Sequence, residues 1–432
     1  MSINSVKGTH DIIGAEAQGY QFIESVFKAV CELYGYKMIQ TPIMEHTEVF
    51  NRATGEGSDV VRKEMYTFLD KAGRSITLRP EVTAGVIRSI IEHKLASTGD
   101  LPLRYYYYGP VFRYERPQLG RYRQFLQAGI EAVGEDSPYL DAEAIGIAMR
   151  TLQFLGFEKL KVVVNSLGDK ASRDRYRDAL RAYFEPMLDS MCADCRERYR
   201  LNPLRMLDCK VEEDQEKAKF APKIGDFLTE EADRRFQLVL SLLNDLGIDY
   251  EVDPGLVRGL DYYGQTVFEV HAISKEGKDY GALLGGGHYD GMLSEFGDGG
   301  EIDHGVGFAM GVERLYSLMR DDGLLDDLDY GVDLYLMPLG EGVIPDCLHI
   351  AEEIRSLGYS LLMPYGKAKL GSMFKKAERA NARYAIIVGE DELKEGAVQL
   401  KDLHAKEQQK VKIDDLADTL DHLFGEDGHH HE

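Results

Sequence analysis

Residues 104–131, RYYYYGPVFRYERPQLGRYRQFLQAGIE, constrain the fold more tightly than any other stretch of this chain. The aromatic run at 105–112 and the segment 122–133 have the composition of paired strands, and Pro117 to Gly120 supplies the turn between them. The same hairpin carries Arg104, Arg113, Arg116, Arg121 and Arg123, with only Glu115 and Glu131 as acids, in a chain whose formal net charge is -23. Arginine offers a fixed fork of donors that fits phosphate and carboxylate oxygens. An arginine-dense hairpin in an acidic chain therefore predicts a polyphosphate site.

At 432 residues the chain is too long for one hydrophobic core. No stretch approaches the roughly 20 apolar residues of a membrane helix, and the N-terminus lacks the apolar core of a signal peptide. The five cysteines, an odd number, argue against a disulfide framework and for a reducing cytoplasm. The acidity argues against a protein that coats nucleic acid nonspecifically but leaves room for local basic patches. One lies at 367–383, with Lys367, Lys369, Lys375, Lys376, Arg379 and Arg383 against Glu378 alone. On charge alone it reads as a solvated helix face.

Helical spacing of Phe22, Ile23, Val26, Phe27, Val30 and Leu33 predicts a core-facing helix over 20–34, ended by Gly35. A strand is expected at Tyr36–Gln40, with others at 160–165, 266–273 and 280–285. The last ends in Gly285-Gly286-Gly287, where side chains would obstruct something near the backbone. Residues 170–248 are helical in pattern, charged, and hold Cys192, Cys195 and Cys209; they read as an insertion. From about 330, the apolar runs 332–337, 359–363 and 384–388 alternate with helical patterns, which signals a small α/β domain. Asp427 onward, with His429 to His431, reads as a disordered tail. GALLGGGHYDG lacks the Gly-Lys-Ser/Thr of a P-loop.

Four segments join arginine to glycine or a carboxylate in strand context. RPEVT offers Arg79, Glu81 and Thr83, alternate residues that share one face if extended. The hairpin is the second. VRGLDYYGQTVFE places Arg258, Asp261, Tyr262 and Tyr263 before a strand, and GVGFAMGVERL runs a glycine-spaced strand into a helix carrying Arg314. One such arginine is ordinarily a surface residue, but four together are not coincidence.

With these segments the chain resembles the class II aminoacyl-tRNA synthetases, and within them the histidyl-tRNA synthetase family. Gly35 to Pro42 is similar to the first class motif, Phe112 to Glu115 with Arg121 and Phe125 to the second, and Gly311 to Arg314 to the third. LVRGLDYY (256–263) and GGGHYDG (285–291) are similar to the histidine-specific signatures. The resemblance implies an α+β catalytic domain over 1–325, built on a mostly antiparallel sheet flanked by helices and interrupted by the 170–248 insertion. A C-terminal α/β anticodon-binding domain over 330–426 and a tail over 427–432 complete it.

The activity implied is ligation: L-histidine and ATP give histidyl-adenylate, and histidine passes to the 3′ end of tRNA(His). Phe125 and Arg314 would flank adenine, and Glu115 would accept from its amino group. Arg113 would touch the α-phosphate and the amino-acid carboxylate, with Arg121 and Arg314 on the outer phosphates and Mg2+ accompanying ATP. Glu81, Thr83 and Gln127 would receive the α-ammonium group. Glu131 and Tyr263 would bond the two imidazole nitrogens, with Tyr262 nearby. Arg258 would be the main catalytic cation, at the carboxylate and α-phosphate, with Arg113 as the second. The resemblance also implies a homodimer. It turns the basic stretch into a tRNA surface of Lys367, Lys375, Lys376 and Arg379, and offers Arg116 and Arg123 as further tRNA contacts.

The chain departs from the family pattern at Lys7, Gly14, Val82 and His288. A structural zinc site takes four ligands, and no fourth Cys or His lies near Cys192, Cys195 and Cys209 in sequence, so thiols without zinc are expected. Two rival functions remain: a histidine-sensing regulatory paralogue of ATP phosphoribosyltransferase, and an ATP-dependent ligase that does not act on tRNA.

Overall fold

The computed structural model describes residues 3–425, apart from 56–57, 59, 99, 117–120, 278, 298–301, 327 and 329–330. The hairpin turn and the tail from Asp427 lie outside the described residues. Two compact units divide the chain, Met1–Asp327 and Leu328–Glu432.

In the first unit, β1 (Lys37–Met38), β2 (Met44–His46), β3 (Tyr66–Leu69) and β4 (Ser75–Leu78) lead into the hairpin of β5 (Leu103–Phe112) and β6 (Gln124–Val133). β7 (Leu160–Ser166) and β8 (Tyr250–Val252) flank the insertion, and β9 (Tyr263–Ile273), β10 (Asp279–Asp290) and β11 (His304–Gly311) follow. Eight strands form one sheet in the order β1-β5-β6-β11-β10-β9-β7-β8. Only the outermost pairs, β1 with β5 and β7 with β8, are parallel. The fold is thus α+β on a mostly antiparallel sheet.

Helices cover one face of this sheet. The helix Ala15–Leu33 buries Ile23, Phe27 and Val30, and Phe27 meets Tyr106 of β5 edge-on with ring centroids 6.0 Å apart. Tyr107 is buried on the opposite face, so the tyrosine run serves two packed layers and shows no alternation of polarity. Phe22 and Val26 are half-buried, and Leu33, the last residue of the helix, is exposed. Gly35, with φ +74°, lies just past the helix end, where the left-handed turn suits glycine.

Three local expectations change. The strand at 36–40 shortens to two residues. RPEVT is not extended: residues 79–82 form a loop, and Thr83 opens the helix Thr83–Glu92. Val82 turns into the apolar core with Val86 and Ile87 because the helix begins there. β10 runs through the three glycines to Asp290 instead of stopping at them. The small antiparallel sheet β2-β4-β3 had no signal strong enough to read in the sequence.

The insertion holds four helices, Lys170–Phe184, Ala193–Leu201, Glu212–Ala218 and Glu230–Asp245, and a core of its own around Tyr176, Leu180, Phe184, Cys195 and Met206. Its folding alters the expectation about zinc ligands. Asp214 comes to the three cysteines as a fourth donor, which counting only Cys and His had missed.

The second unit is a five-stranded sheet in which Leu334–Pro338 lies between Leu361–Leu362, at one edge, and the central strand Tyr384–Val388, parallel to both. Ala397–Asp402 and Gln408–Lys412 add an antiparallel hairpin that the apolar pattern did not announce. Helices bury both faces, Ile350 and Leu420 on one and Met373 and Ala377 on the other.

Candidate active site

The register between β6 and β11 creates the floor of a cleft. Glu131 lies opposite Gly307, and Gln127 opposite Gly311. A Cβ at Gly307 would collide with the Glu131 carboxylate, so the glycine spacing of β11 is what lets a large acid stand there. Gly285 of β10 plays the same part for Arg258, whose guanidinium occupies the space a Cβ would need.

Glu81, Thr83, Arg113, Phe125, Gln127, Glu131, Arg258, Tyr262, Tyr263 and Arg314 all line this one cleft, together with Tyr289. They come from the loop at 79–83, the hairpin, the segment 256–263 and the start of the helix Val312–Asp321. Glu115 and Arg121 are outside the lining and form an ion pair of their own, 3.4 Å long. Arg113 donates through Nε to Pro80 O at 2.8 Å, and its guanidinium stands 5.3 Å from the centre of the Phe125 ring. Arg314 donates to Tyr280 O.

One end of the cleft is acidic and dry. Glu131 is 2% exposed; the Thr83 hydroxyl donates to its Oε1 at 2.6 Å, and the Tyr289 hydroxyl to its Oε2 at 2.9 Å. Burial raises its carboxyl to about 8, against the pull of the two hydroxyls. Glu81 is likewise raised by burial, although Oε1 accepts from Ala84 N at 3.0 Å. Its Oε2 and the Gln127 Oε1 are buried with no hydrogen-bond partner among the described residues. Buried acceptors left open in a cleft call for a ligand that brings donors and positive charge.

The other end is cationic. Arg258 pairs with Glu269, whose second oxygen lies 3.1 Å from His271 Nε2. Burial alone would raise the Glu269 carboxyl, but His271 and Arg258 hold it below the ordinary range.

Comparisons with known proteins coincide with this arrangement. The family model described as histidyl-tRNA synthetase matches residues 8–315, and that of an anticodon binding domain matches 333–423. The chain belongs to the histidyl-tRNA synthetase family. It is 46% identical to the histidine–tRNA ligase of Bacillus licheniformis, over 96% of this chain and 98% of that one. The Bacillus subtilis ligase is 45% identical, over 97% and 99%. The apo histidyl-tRNA synthetase of S. aureus superposes with a TM-score of 0.82 at 36% identity, covering 97% of this chain and all of that one (100%).

In this member of the histidyl-tRNA synthetase family a polar cluster lies beside the cleft. His288 is buried between Asp141 and Asp290, 3.0 Å from each, and Arg235 Nη2 lies 3.2 Å from its Nδ1. Burial would lower its imidazole, but the two aspartates outweigh that and raise it to about 9. The departure at 288 thus places an imidazole among its own counter-ions, Asp141 and Asp290. Glu269 and Tyr289, neither singled out from sequence, complete the site. Tyr289 had a signal inside GGGHYDG, whereas Glu269 had only its place at the end of the VRGLDYYGQTVFE segment.

The hairpin's remaining arginines differ among themselves. Arg104 pairs with Glu143 at 3.6 Å, Arg123 stacks 4.2 Å above the centre of the Tyr114 ring, and Arg116 is exposed. In the second unit, Lys375, Lys376 and Arg379 lie on the outer face of the helix Leu370–Arg379, whose inner face buries Met373 and Ala377. Lys367 pairs with Glu341 at 3.3 Å. No helix is long and apolar enough to cross a membrane among the described residues.

Proposed function

We infer that the chain is a histidine–tRNA ligase, which converts L-histidine and ATP to histidyl-adenylate and pyrophosphate and then passes histidine to the 3′ end of tRNA(His). One observation carries this reading: a single cleft sets two buried acid side chains, Glu81 and Glu131, with no ion-pair partner among the described residues, opposite the cations Arg113 and Arg258. An aminoacyl-adenylate has the matching polarity, with an ammonium and a donor-bearing side chain at one end and a phosphate at the other.

On this reading Glu81 Oε2, Thr83 and Gln127 Oε1 receive the α-ammonium group. Glu131 and Tyr263 address the two imidazole nitrogens, with Tyr262 packed 4.5 Å from Tyr263, centre to centre. A site that must satisfy both nitrogens leaves polar groups stranded with any other amino acid, which is worth roughly 10⁴-fold or more in discrimination. Arg113 and Arg258 sit at the carboxylate and the α-phosphorus, where charge develops in the transition state. Phe125 and Arg314 flank adenine. ATP arrives with Mg2+ as part of the substrate. Arg121 leaves Glu115 for the outer phosphates, which frees Glu115 for the adenine amino group. No protein nucleophile is required.

The anticodon-domain match over 333–423 supports tRNA as a partner and disfavours the regulatory paralogue, which typically lacks a C-terminal domain. The domain division at about 325–330 and the tRNA role of Arg116, Arg123, Lys367, Lys375, Lys376 and Arg379 belong to the same proposal. So does a homodimer, supported by exposed apolar groups at Leu33 and at Met38, the latter on the edge strand β1. A cytoplasmic setting is supported by five cysteines, none in a disulfide.

The test is histidine-dependent ATP–pyrophosphate exchange followed by charging of tRNA(His). Folded protein without exchange would rule out the enzyme reading. Exchange without charging would favour a ligase that does not act on tRNA.

A further inference from the structure

The insertion buries a carboxylate among three thiols. Cys192 caps the helix Ala193–Leu201 and Cys195 lies in its first turn; Cys209 follows the turn Pro203–Met206, and Asp214 belongs to the helix Glu212–Ala218. Their four donor atoms all lie within 4.8 Å of one another. Cys192 Sγ and Cys209 Sγ are 3.8 Å apart, and Cys209 Sγ is 3.5 Å from Asp214 Oδ2. A tetrahedral zinc ion, bonded at about 2.3 Å to sulfur and about 2.1 Å to oxygen, spaces its ligands roughly 3.6–3.8 Å apart. The Cys192–Cys209 and Cys209–Asp214 separations already match that spacing, and the remaining separations exceed it by no more than about 1 Å.

We propose that Cys192, Cys195, Cys209 and Asp214 form a closed, structural zinc site that pins the insertion together. The surroundings suit thiolates. Cys195 N–H points at Cys192 Sγ and Val211 N–H at Cys209 Sγ, each at 3.4 Å, the kind of outer donation that supports metal-bound sulfur. Asp214 is 1% exposed; its Oδ2 accepts from Cys192 N–H at 3.0 Å, and Lys217 Nζ stands 3.8 Å from its Oδ1. A carboxylate so placed needs a stronger counter-charge, which zinc supplies. All four donors come from the protein, so no position stays open for water or substrate, and none of the four lines the active cleft. The purpose is mechanical. Three short segments with a small shared core gain a cross-link that their apolar contacts alone provide weakly.

The alternative occupant of this geometry is a hydrogen-bonded thiol cluster, and metal analysis separates the two. Full-length chain purified under reducing conditions without chelator is expected to carry zinc at one per chain. After exchange, Co2+ should give a sulfur-to-cobalt charge-transfer band that disappears in Cys209→Ser. His429 to His431 can also bind metal, but imidazole gives no such band. Asp214→Ala should surrender zinc to a chelator that the unaltered chain withstands. Because Cys209→Ser could disturb the insertion's core, thiol titration of the unaltered chain keeps the test decisive: these three thiols should react only once the metal is stripped. Metal-free protein with freely reacting thiols, a Cys192–Cys209 disulfide, or cobalt bound without the thiolate band would each overturn the proposal.

Discussion

Thr83 Oγ1 donates to Glu131 Oε1 at 2.6 Å, joining the first residue of a helix to a strand residue 48 positions away. With Tyr289 on the other oxygen, the bond fixes the orientation of a buried acid whose carboxyl is raised to about 8. The cleft is thus organised before any ligand enters, which is how binding sites avoid reorganisation at the moment of use.

Glu131→Gln should raise the KM for histidine while leaving the KM for ATP close to its original value, measured by pyrophosphate exchange. Its stability should also carry a pH signature. Folded Glu131 keeps its proton to about 8, whereas the unfolded chain loses it near 4.5, so the native protein loses stability as pH rises between those values. Glutamine does not titrate, and the variant should gain on the parent across that window. A melting-temperature difference that stays constant with pH would contradict the account.

Arg258→Ala should lower the rate of adenylation by roughly 10²–10³-fold, the usual cost of removing one preplaced transition-state charge, with the circular dichroism unchanged. Gly285→Ala should reproduce part of this loss, since its methyl group takes the space of the Arg258 guanidinium. Adenylation within about tenfold of normal in Arg258→Ala would refute the assignment.

His288→Gln should destabilise the protein most at low pH. The imidazole is raised from 6.5 to about 9 in the folded state by Asp141 and Asp290, so its contribution is complete below about 6.5 and disappears as pH rises through about 9. Denaturant titrations of both proteins should therefore converge at alkaline pH; parallel curves would show that the imidazolium does not matter.

Replacing Lys375, Lys376 and Arg379 together with alanine should weaken tRNA charging and leave pyrophosphate exchange intact. Each phosphate contact removed should reduce the salt dependence of tRNA binding by about one unit of log–log slope. Equal losses in both assays would mean that the substitutions damaged the fold instead.

Much of the fold was legible because its signals are local. The tyrosine run and its partner strand announced the hairpin, and GVGFAMGVERL announced a strand entering a helix. RPEVT was misread as extended because a five-residue segment carries too little periodicity to separate a strand from a helix start. β2, β3 and β4 escaped for the same reason: short strands that pair only with one another lack a distinctive pattern.

By itself the sequence determined which chemical groups were available and in which segments: arginines on a hairpin, acids in RPEVT and at Glu131, tyrosines after RGLD, glycines at 285 and 307. These are properties of residue type and close spacing. Only the tertiary structure decided which groups meet. Strand register places Glu131 opposite Gly307, burial raises its carboxyl, Thr83 finds Glu131, and Asp214 joins three cysteines. Each depends on contacts between distant segments and on exclusion of water, and neither is encoded in any one local stretch.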